Sequence, residues 1–296
     1  MTLIYYLKML RVRDWIKMVF WIPLAGTLLA QGCLNDLFLM AGISFCLLSY
    51  GYAINNYFDI EIDKKNNRKI ENNTNPLAKG FVSKRNILMI ILFLLSMPIF
   101  ISFKINFIGF IIILLTAIGF TLYSVKIIRL KERPFIDIMT ISIFAGFLPF
   151  LASVKLIGGI IDLHFILIAG LLALLCGNEV LAHYIRDYEE DFGNTNTTAI
   201  RIGKEKSYFV LFLFLIVSLA LFEFIILKYY PGTQWWMFYS CLFILIFWWT
   251  PLRLVNEILK QRISKRNIFS YGLLIPNIVY GNAVRIYQNR IRKFFD

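Results

Sequence analysis

Carboxylates are scarce in this chain, so their positions carry information. Only 18 Asp and Glu occur among 296 residues, and two groups of them repeat one spacing. The first run is Asn55-Asn56-Tyr57-Phe58-Asp59-Ile60-Glu61-Ile62-Asp63. The second is His183-Tyr184-Ile185-Arg186-Asp187-Tyr188-Glu189-Glu190-Asp191. On an α-helix a step of four residues turns only about 40° around the axis. Asn55, Asp59 and Asp63 therefore share one face. His183, Asp187 and Asp191 share another, with Glu179 one turn deeper on the same stripe. Glu61 falls about 200° from Asp59 and is a poorer candidate for the same site. Asp59 and Asp187 are 128 residues apart, as are Asp63 and Asp191, a register that suits a duplicated helical unit.

Four carboxylates facing one cavity repel one another unless a cation sits between them. Hard oxygen donors select Mg²⁺ or Ca²⁺ over softer metals. Mg²⁺ keeps several waters and bridges one or two carboxylates to substrate phosphates, and paired metals can neutralise a diphosphate as it departs. The alternative is that each stripe merely caps a helix at an interface, with Lys and Arg as partners. The matching register of the two stripes favours a shared site.

The elements that must position these stripes are written in the hydropathy. Hydrophobic residues make up 59% of the chain and charged residues 17%, against about 25% charged in a soluble domain; the mean hydropathy is +0.68. A bilayer span needs about 20 mostly apolar residues. Runs at 18–33, 36–58, 87–103, 106–123, 135–154, 164–184, 208–227, 235–252 and 267–284 meet that need, and Pro276, Asn277 and Asn282 make the last the weakest. Continuous apolar runs satisfy their backbone as helices, whereas barrel strands would alternate. The reading is an all-α polytopic membrane protein of about nine helices, one domain over 1–296. The runs 87–103 and 106–123 must form a tight hairpin around Lys104 and Asn106.

Charge placement orients it. The N-terminal stretch and the even-numbered loops hold 24 Lys and Arg, whereas the odd loops hold Lys104, Lys155 and Lys228 only. Basic residues accumulate on the cytoplasmic side, so both acidic stripes face the cytoplasm. With nine spans, however, the basic tail at Arg285, Arg290, Arg292 and Lys293 would lie on the other side, so either the ninth span is re-entrant or the tail is tolerated there. The net charge of +13 reads as topology and attraction to anionic lipid; the dispersal of basic residues among loops argues against a nucleic-acid partner. Cys33, Cys46, Cys176 and Cys241 show no CxxC spacing and read as small core residues. Residues 1–17 read as an interfacial amphipathic helix with Leu3, Tyr6, Leu7 and Leu10 on one face.

The motifs are specific enough to suggest a family. Residues 55–63 resemble the first aspartate-rich motif of the UbiA family of intramembrane prenyltransferases, N-D-x-x-D-x-x-x-D, with Asn56 in place of its second aspartate. Residues 187–191 resemble its second motif, D-x-x-x-D, and the run from Arg186 through Thr197-Thr198-Ala199 is similar throughout. Asn75-Pro76-Leu77-Ala78-Lys79-Gly80 resembles the family loop N-R-P-L-x-x-G without its arginine. Leu122-Tyr123-Ser124, Lys126 and Arg129-Leu130-Lys131 resemble the loop after its fourth span. The likeness covers roughly residues 10–205.

The resemblance implies nine helices around a cavity open to the cytoplasm. It also implies transfer of a prenyl group from an isoprenyl diphosphate to a lipophilic or aromatic acceptor, with Mg²⁺ as cofactor. It further implies Asn55, Asp59, Asp63, Asp187 and Asp191 as magnesium ligands, directly or through water, with the four aspartates as the catalytic set. Arg68, Lys79, Lys126 and Arg129 lie in loops that could close over the phosphates. Tyr57, Tyr123 and Tyr188 are placed to face a carbocation, or to serve as interfacial aromatics. His183 is suited to bonding a carboxylate or acting as a base, or to a structural role; Glu179 belongs to the same pocket. Two other functions share these features. One is a relative that transfers a phosphoribosyl or other sugar group to a polyprenyl phosphate, which Arg11 through Gly26 faintly resemble and the second motif argues against. The other is an ion-coupled secondary transporter, which a matched repeat would also suit.

A reporter fused at residue 75 is expected to stay in the cytoplasm, as are reporters in the loops at 124–134 and 185–207. Export of the reporter at residue 75 would reverse the orientation.

Overall fold

The computed structural model describes residues 2–16, 19–64 and 75–230, all within one compact unit. Every regular element among them is helical. Two short helices, α1 (Thr2–Met9) and α2 (Val12–Trp15), precede α3 (Trp21–Leu29). The long α4 (Leu34–Phe58) runs on into a four-residue turn, α5 (Ile60–Asp63). Then come α6 (Lys84–Ile105), α7 (Phe107–Ser124), α8 (Ile136–Leu156) and α9 (Leu163–Arg186). After α9 follow the short α10 (Tyr188–Asp191) and α11 (Thr198–Ile202), and then α12 (Lys204–Tyr229).

Six of these helices are long and apolar enough to cross a bilayer: α4, α6, α7, α8, α9 and α12. They answer the expected runs from 36–58 to 208–227. The run expected at 18–33 is realised as α3, nine residues long. At 1.5 Å per residue α3 spans only about 13.5 Å, too short to cross on its own, because the backbone turns at Ala30 and Gln31 takes a positive φ of 62°. The runs at 235–252 and 267–284 lie outside the described residues.

Local chemistry explains where the spans begin. Asn106 separates α6 from α7 in the expected hairpin, and its Oδ1 accepts the Gly109 amide at 2.9 Å. Asp162 caps α9 by accepting from Phe165 at 3.0 Å, and Ser83 caps α6 by accepting from Asn86 at 3.2 Å. Each cap satisfies an amide that has no partner within its own helix, a need that is acute where water is scarce.

The interior is built on helical periodicity. Met40, Ile43, Leu47, Tyr50 and Ile54 form the buried face of α4, and Ile87, Ile91 and Leu94 that of α6. Outward-facing aromatics such as Phe38, Phe93, Phe100 and Phe209 are exposed, as a surface solvated by lipid requires. Helices approach closely where a side chain is missing. A Cβ on Gly146 would lie 2.8 Å from the Ala173 Cα, so α8 and α9 touch backbone to backbone there, a contact typical of membrane bundles. Gly146 sits in a π-helical stretch of α8, Ser142–Phe147, and such stretches recur at functional sites.

The N-terminal segment departs from expectation. It is two short helices broken at Arg11, whose φ is 49°. Its buried residues are Met9, Leu10 and Trp15, whereas Leu7 is 55% exposed. The Trp15 indole donates to the Leu10 carbonyl at 2.8 Å. The break rotates the second helix, so no single helical face runs through residues 2–16.

A buried carboxylate ties the second motif to the bundle. Asp137, at the start of α8, is fully buried and accepts from the Thr198 amide at 2.7 Å and from the Thr198 hydroxyl. Thr198 Oγ1 also accepts from the Phe135 amide at 2.6 Å. This clasp fixes α11, and with it the chain leaving α10. Asp137→Ala is expected to lower stability by about 1–3 kcal/mol, the cost of stranding buried donors. Thermal unfolding in detergent would measure it; an unchanged midpoint would show that the clasp carries no stability.

Candidate active site

A cavity of about 430 Å³ opens at the end of the bundle that carries both motifs. This volume lies within the range of ordinary small-molecule sites. Its wall includes Leu48, Gly51, Tyr52 and Asn55 of α4, and Cys176, Glu179, Val180, His183, Tyr184 and Arg186 of α9. Phe120 and Tyr123 of α7, Ile141 and Ala145 of α8, and Arg11, Arg13, Asp14 and Val19 complete it. Apolar side chains thus line the depth, while acids and bases gather toward the mouth. Both stripes send residues to this one wall: Asn55 and Glu179–His183 stand one turn or more inside Asp59 and Asp187.

Asp59 ends α4 and begins α5. It is 4% exposed, so its charge must be matched. The match comes from the loop after α7. Arg129 Nη2 donates to Asp59 Oδ1 at 3.1 Å. Lys131 Nζ donates to Asp59 Oδ2 and, at 2.7 Å, to Asn55 Oδ1. Arg129 holds a left-handed backbone conformation, φ 44°, uncommon for a residue with a side chain. That turn brings residues 129 and 131 to one acid. Lys126, three residues earlier, is exposed and makes no hydrogen bond or ion pair among the described residues.

The Asn75 loop locks the first motif from the other side. Asn75 Nδ2 donates to the Asn56 carbonyl and to Asp63 Oδ2, both at 2.8 Å, while its Oδ1 accepts the Leu77 amide at 3.2 Å. Asp63 is 2% exposed. Asn56, at the position of the family's second aspartate, is buried and donates to the Met9 carbonyl at 3.1 Å. Its amide is therefore a strut between α1 and α4.

On the second stripe, His183 Nε2 lies 3.3 Å from Asp187 Oδ2. Across the cavity, Tyr123 and Tyr184 share a hydrogen bond of 3.0 Å between their hydroxyls. Glu179 and His183 both face the cavity. Asp191 turns the chain after α10, its carbonyl accepting the Asn194 amide at 3.0 Å. Glu61 points away toward Lys64.

Of the residues read from sequence as site candidates, the structure brings Asn55, Tyr123, Glu179 and His183 to the cavity wall and joins Asp59 to Arg129. Tyr57 packs edge-on to Phe58. Tyr188 stacks by Phe192 under Lys204, and Lys79 lies over Phe81. None of these three is among the residues of the wall. Arg68 lies outside the described residues. Sequence reasoning missed Lys131 as a site residue, together with Arg11, Arg13, Tyr52 and Tyr184. The signal for Lys131 was its place two residues after Arg129; the cavity-facing role of Arg11 left no periodic trace.

The donor set suits a hard cation. Asn55 and Asp59 offer oxygen atoms one helical turn apart, and the Lys131 ammonium already bridges them as a cation would. No three His, Cys, Asp or Glu side chains among the described residues are gathered closely enough to hold a metal alone. Mg²⁺ does not require such a cage, since it retains waters and shares its carboxylates with substrate phosphates.

Fold and site together define a polytopic α-helical membrane protein with an acid- and base-lined cavity at one end of its bundle. The chain belongs to the UbiA prenyltransferase family, whose model matches residues 19–273. It is accordingly a prenyltransferase and an integral, multi-pass membrane protein, not an ion-coupled transporter. It is similar to the digeranylgeranylglyceryl phosphate synthase of Saccharolobus solfataricus, at 30% identity over 240 residues, 78% of this chain and 77% of that protein. The synthase of the same name from Thermococcus kodakarensis is 29% identical over 204 residues, 66% and 68% of the two chains. Among solved structures, a UbiA homolog from Archaeoglobus fulgidus bound to GPP and Mg²⁺ has a TM-score of 0.71 at 19% identity, over 90% of this chain and 91% of that one. The same homolog bound to DMAPP and Mg²⁺ gives 0.67 at 18% identity, over 93% and 92%.

Asn56→Asp, which restores the family's aspartate, is expected to cost stability. A carboxylate cannot donate to the Met9 carbonyl, and stranding a buried acceptor costs about 1–3 kcal/mol. A lower unfolding midpoint is the expected result; an unchanged or higher one would mean that Asn56 is no strut.

Proposed function

We propose that the chain moves the prenyl group of an allylic isoprenyl diphosphate onto a lipophilic acceptor inside this cavity, and that the acceptor is a glyceryl phosphate lipid. The whole chain, 1–296, works as one domain, with the cavity open to the cytoplasm. The observation that carries the reading is the buried cluster of Asp59, Asn55, Arg129 and Lys131, which reaches the cavity wall through Asn55. It combines oxygen donors for a hard cation with fixed positive charge for an anion, and Leu48, Phe120, Ile141 and Ala145 on the same wall as Asn55 suit an isoprenoid chain. The lipid acceptor rests on two further points. The similar proteins named above are synthases of a glyceryl phosphate lipid, and Arg11, Arg13 and Arg186 put cationic groups on the wall.

In the reaction the allylic C–O bond breaks and the electron pair leaves with the diphosphate. The acceptor oxygen then bonds to the allylic carbon and loses its proton. Asn55, Asp59, Asp63, Asp187 and Asp191 would hold Mg²⁺, which when bound supplies neutralising charge to the departing diphosphate. Arg129 and Lys131 steady the same anion through charge-assisted hydrogen bonds. Tyr123 and Tyr184 line the cavity, where a ring face can stabilise positive charge on carbon. The apolar side chains of the wall, Leu48, Phe120, Ile141 and Ala145, limit the water that would otherwise capture the cation. His183, beside Asp187, is placed to take the acceptor proton.

Purified protein with Mg²⁺ and geranyl diphosphate is expected to release diphosphate when given a prenylglyceryl phosphate. Hydroxybenzoate is expected to support little release. Asp59→Ala and Asp187→Ala should each lower turnover on the order of 100-fold or more, as loss of a group aimed at developing charge does, while the protein remains inserted. Near-normal turnover of either variant at limiting Mg²⁺ would remove the two-stripe site. Preference for hydroxybenzoate would remove the lipid acceptor alone.

A further inference from the structure

The Lys131 ammonium stands between the two oxygen donors that open the first motif. It touches Asn55 Oδ1 at 2.7 Å and Asp59 Oδ2 on the next turn, and its side chain is 13% exposed. Arg129 holds the other oxygen of Asp59. Asp59 is thus compensated on both oxygens by side chains of one loop, before any metal arrives. A divalent ion bound by Asn55 and Asp59 would lie against that ammonium, and like charges in a poorly solvated pocket repel strongly. Lys131 has to leave before the ion can settle.

What gives Lys131 a reason to leave is an anion. Lysine carries a compact charge on a flexible four-carbon stem, so it can swing while the loop stays anchored by Arg129. A diphosphate entering the mouth offers the ammonium new oxygens and brings charge that tolerates several cations together. We infer that Lys131 is a placeholder cation that makes metal binding depend on the diphosphate. Metal alone competes with an intramolecular ion pair; metal with diphosphate does not, because the ammonium moves from Asp59 to the phosphate. The device keeps a buried carboxylate paired in the resting protein and links the two ligands thermodynamically, each raising the affinity of the other. It rests on the reading of Asp59 as a metal ligand proposed above.

The test uses full-length protein in detergent and Mn²⁺ as the probe metal, with inorganic pyrophosphate as the probe anion. Equilibrium dialysis measures protein-bound Mn²⁺, corrected for the Mn²⁺–pyrophosphate complex on the protein-free side. Wild type is expected to bind Mn²⁺ weakly alone and about tenfold or more tightly with pyrophosphate, as the removal of one contacting charge requires. Lys131→Gln is expected to bind Mn²⁺ alone about tenfold more tightly than wild type, for the same reason, and to gain less from pyrophosphate than wild type does, since only direct phosphate–metal bonding remains. Lys131→Arg, which keeps the charge, should behave as wild type does. Equal Mn²⁺ affinity of wild type and Lys131→Gln without pyrophosphate would overturn the placeholder role. So would a wild type whose Mn²⁺ affinity ignores pyrophosphate, a result that needs no variant. Asp59→Asn separates the two proposals: if it retains Mn²⁺ binding, Asp59 is not a metal ligand and the site reading itself falls.

Discussion

A buried carboxylate at the end of a membrane helix is among the most costly groups a protein can carry unless it is paired, and Asp59 is such a carboxylate. It is almost wholly buried, and a low-dielectric surround charges heavily for an isolated anion. The structure answers with two cations from one loop, and much of the architecture follows from delivering them. The loop after α7 has to turn inward, so Arg129 takes a left-handed conformation. The start of α8 has to lie beside that loop, and the clasp of Asp137 on Thr198 holds it against the chain that follows the second motif. Resting stability and readiness for an anionic substrate thus come from the same ion pairs.

The second acid of the first motif is handled differently. Asp63 receives the Asn75 side chain, which also grips the backbone at Asn56. One amide therefore holds together the end of α4, the turn α5 and the Asn-Pro-Leu loop. Asn56 extends the connection to Met9 and the N-terminal helices. Those helices contribute Arg11, Arg13 and Asp14 to the cavity wall. A chain of hydrogen bonds consequently runs from the motif to a segment that lines the cavity, and a neutral amide at position 56 serves it where an aspartate would not.

Local and periodic features were legible in the sequence. Apolar runs predicted α4, α6, α7, α8, α9 and α12, because a membrane helix must satisfy its backbone within a continuous apolar stretch. The polar break at Lys104 and Asn106 between two apolar runs predicted the hairpin, and the structure shows Asn106 capping the second helix. The four-residue spacing placed Asn55 with Asp59 and Glu179 with His183, because helical geometry is the same wherever the helix sits. The short α3 was not legible, since hydropathy does not register the turn at Ala30 and Gln31. Nor was the buried face of the N-terminal segment, since the break at Arg11 destroys the single periodicity on which the reading of 1–17 relied.

What the sequence by itself determined is therefore the solvent of the protein, the helices that cross it, and the faces on which the two motifs lie. The tertiary structure decided which cations meet which acids. Lys126 and Lys131 occupy the same loop and look alike in sequence, yet Lys131 reaches Asp59 and Lys126 stays exposed. Tyr57 and Tyr123 look equally suited to a carbocation, yet only Tyr123 is on the wall. The reason is physical. A side chain's direction along a helix follows from a fixed period, whereas its partner across a loop depends on a non-repeating backbone path and on the packing of neighbouring helices.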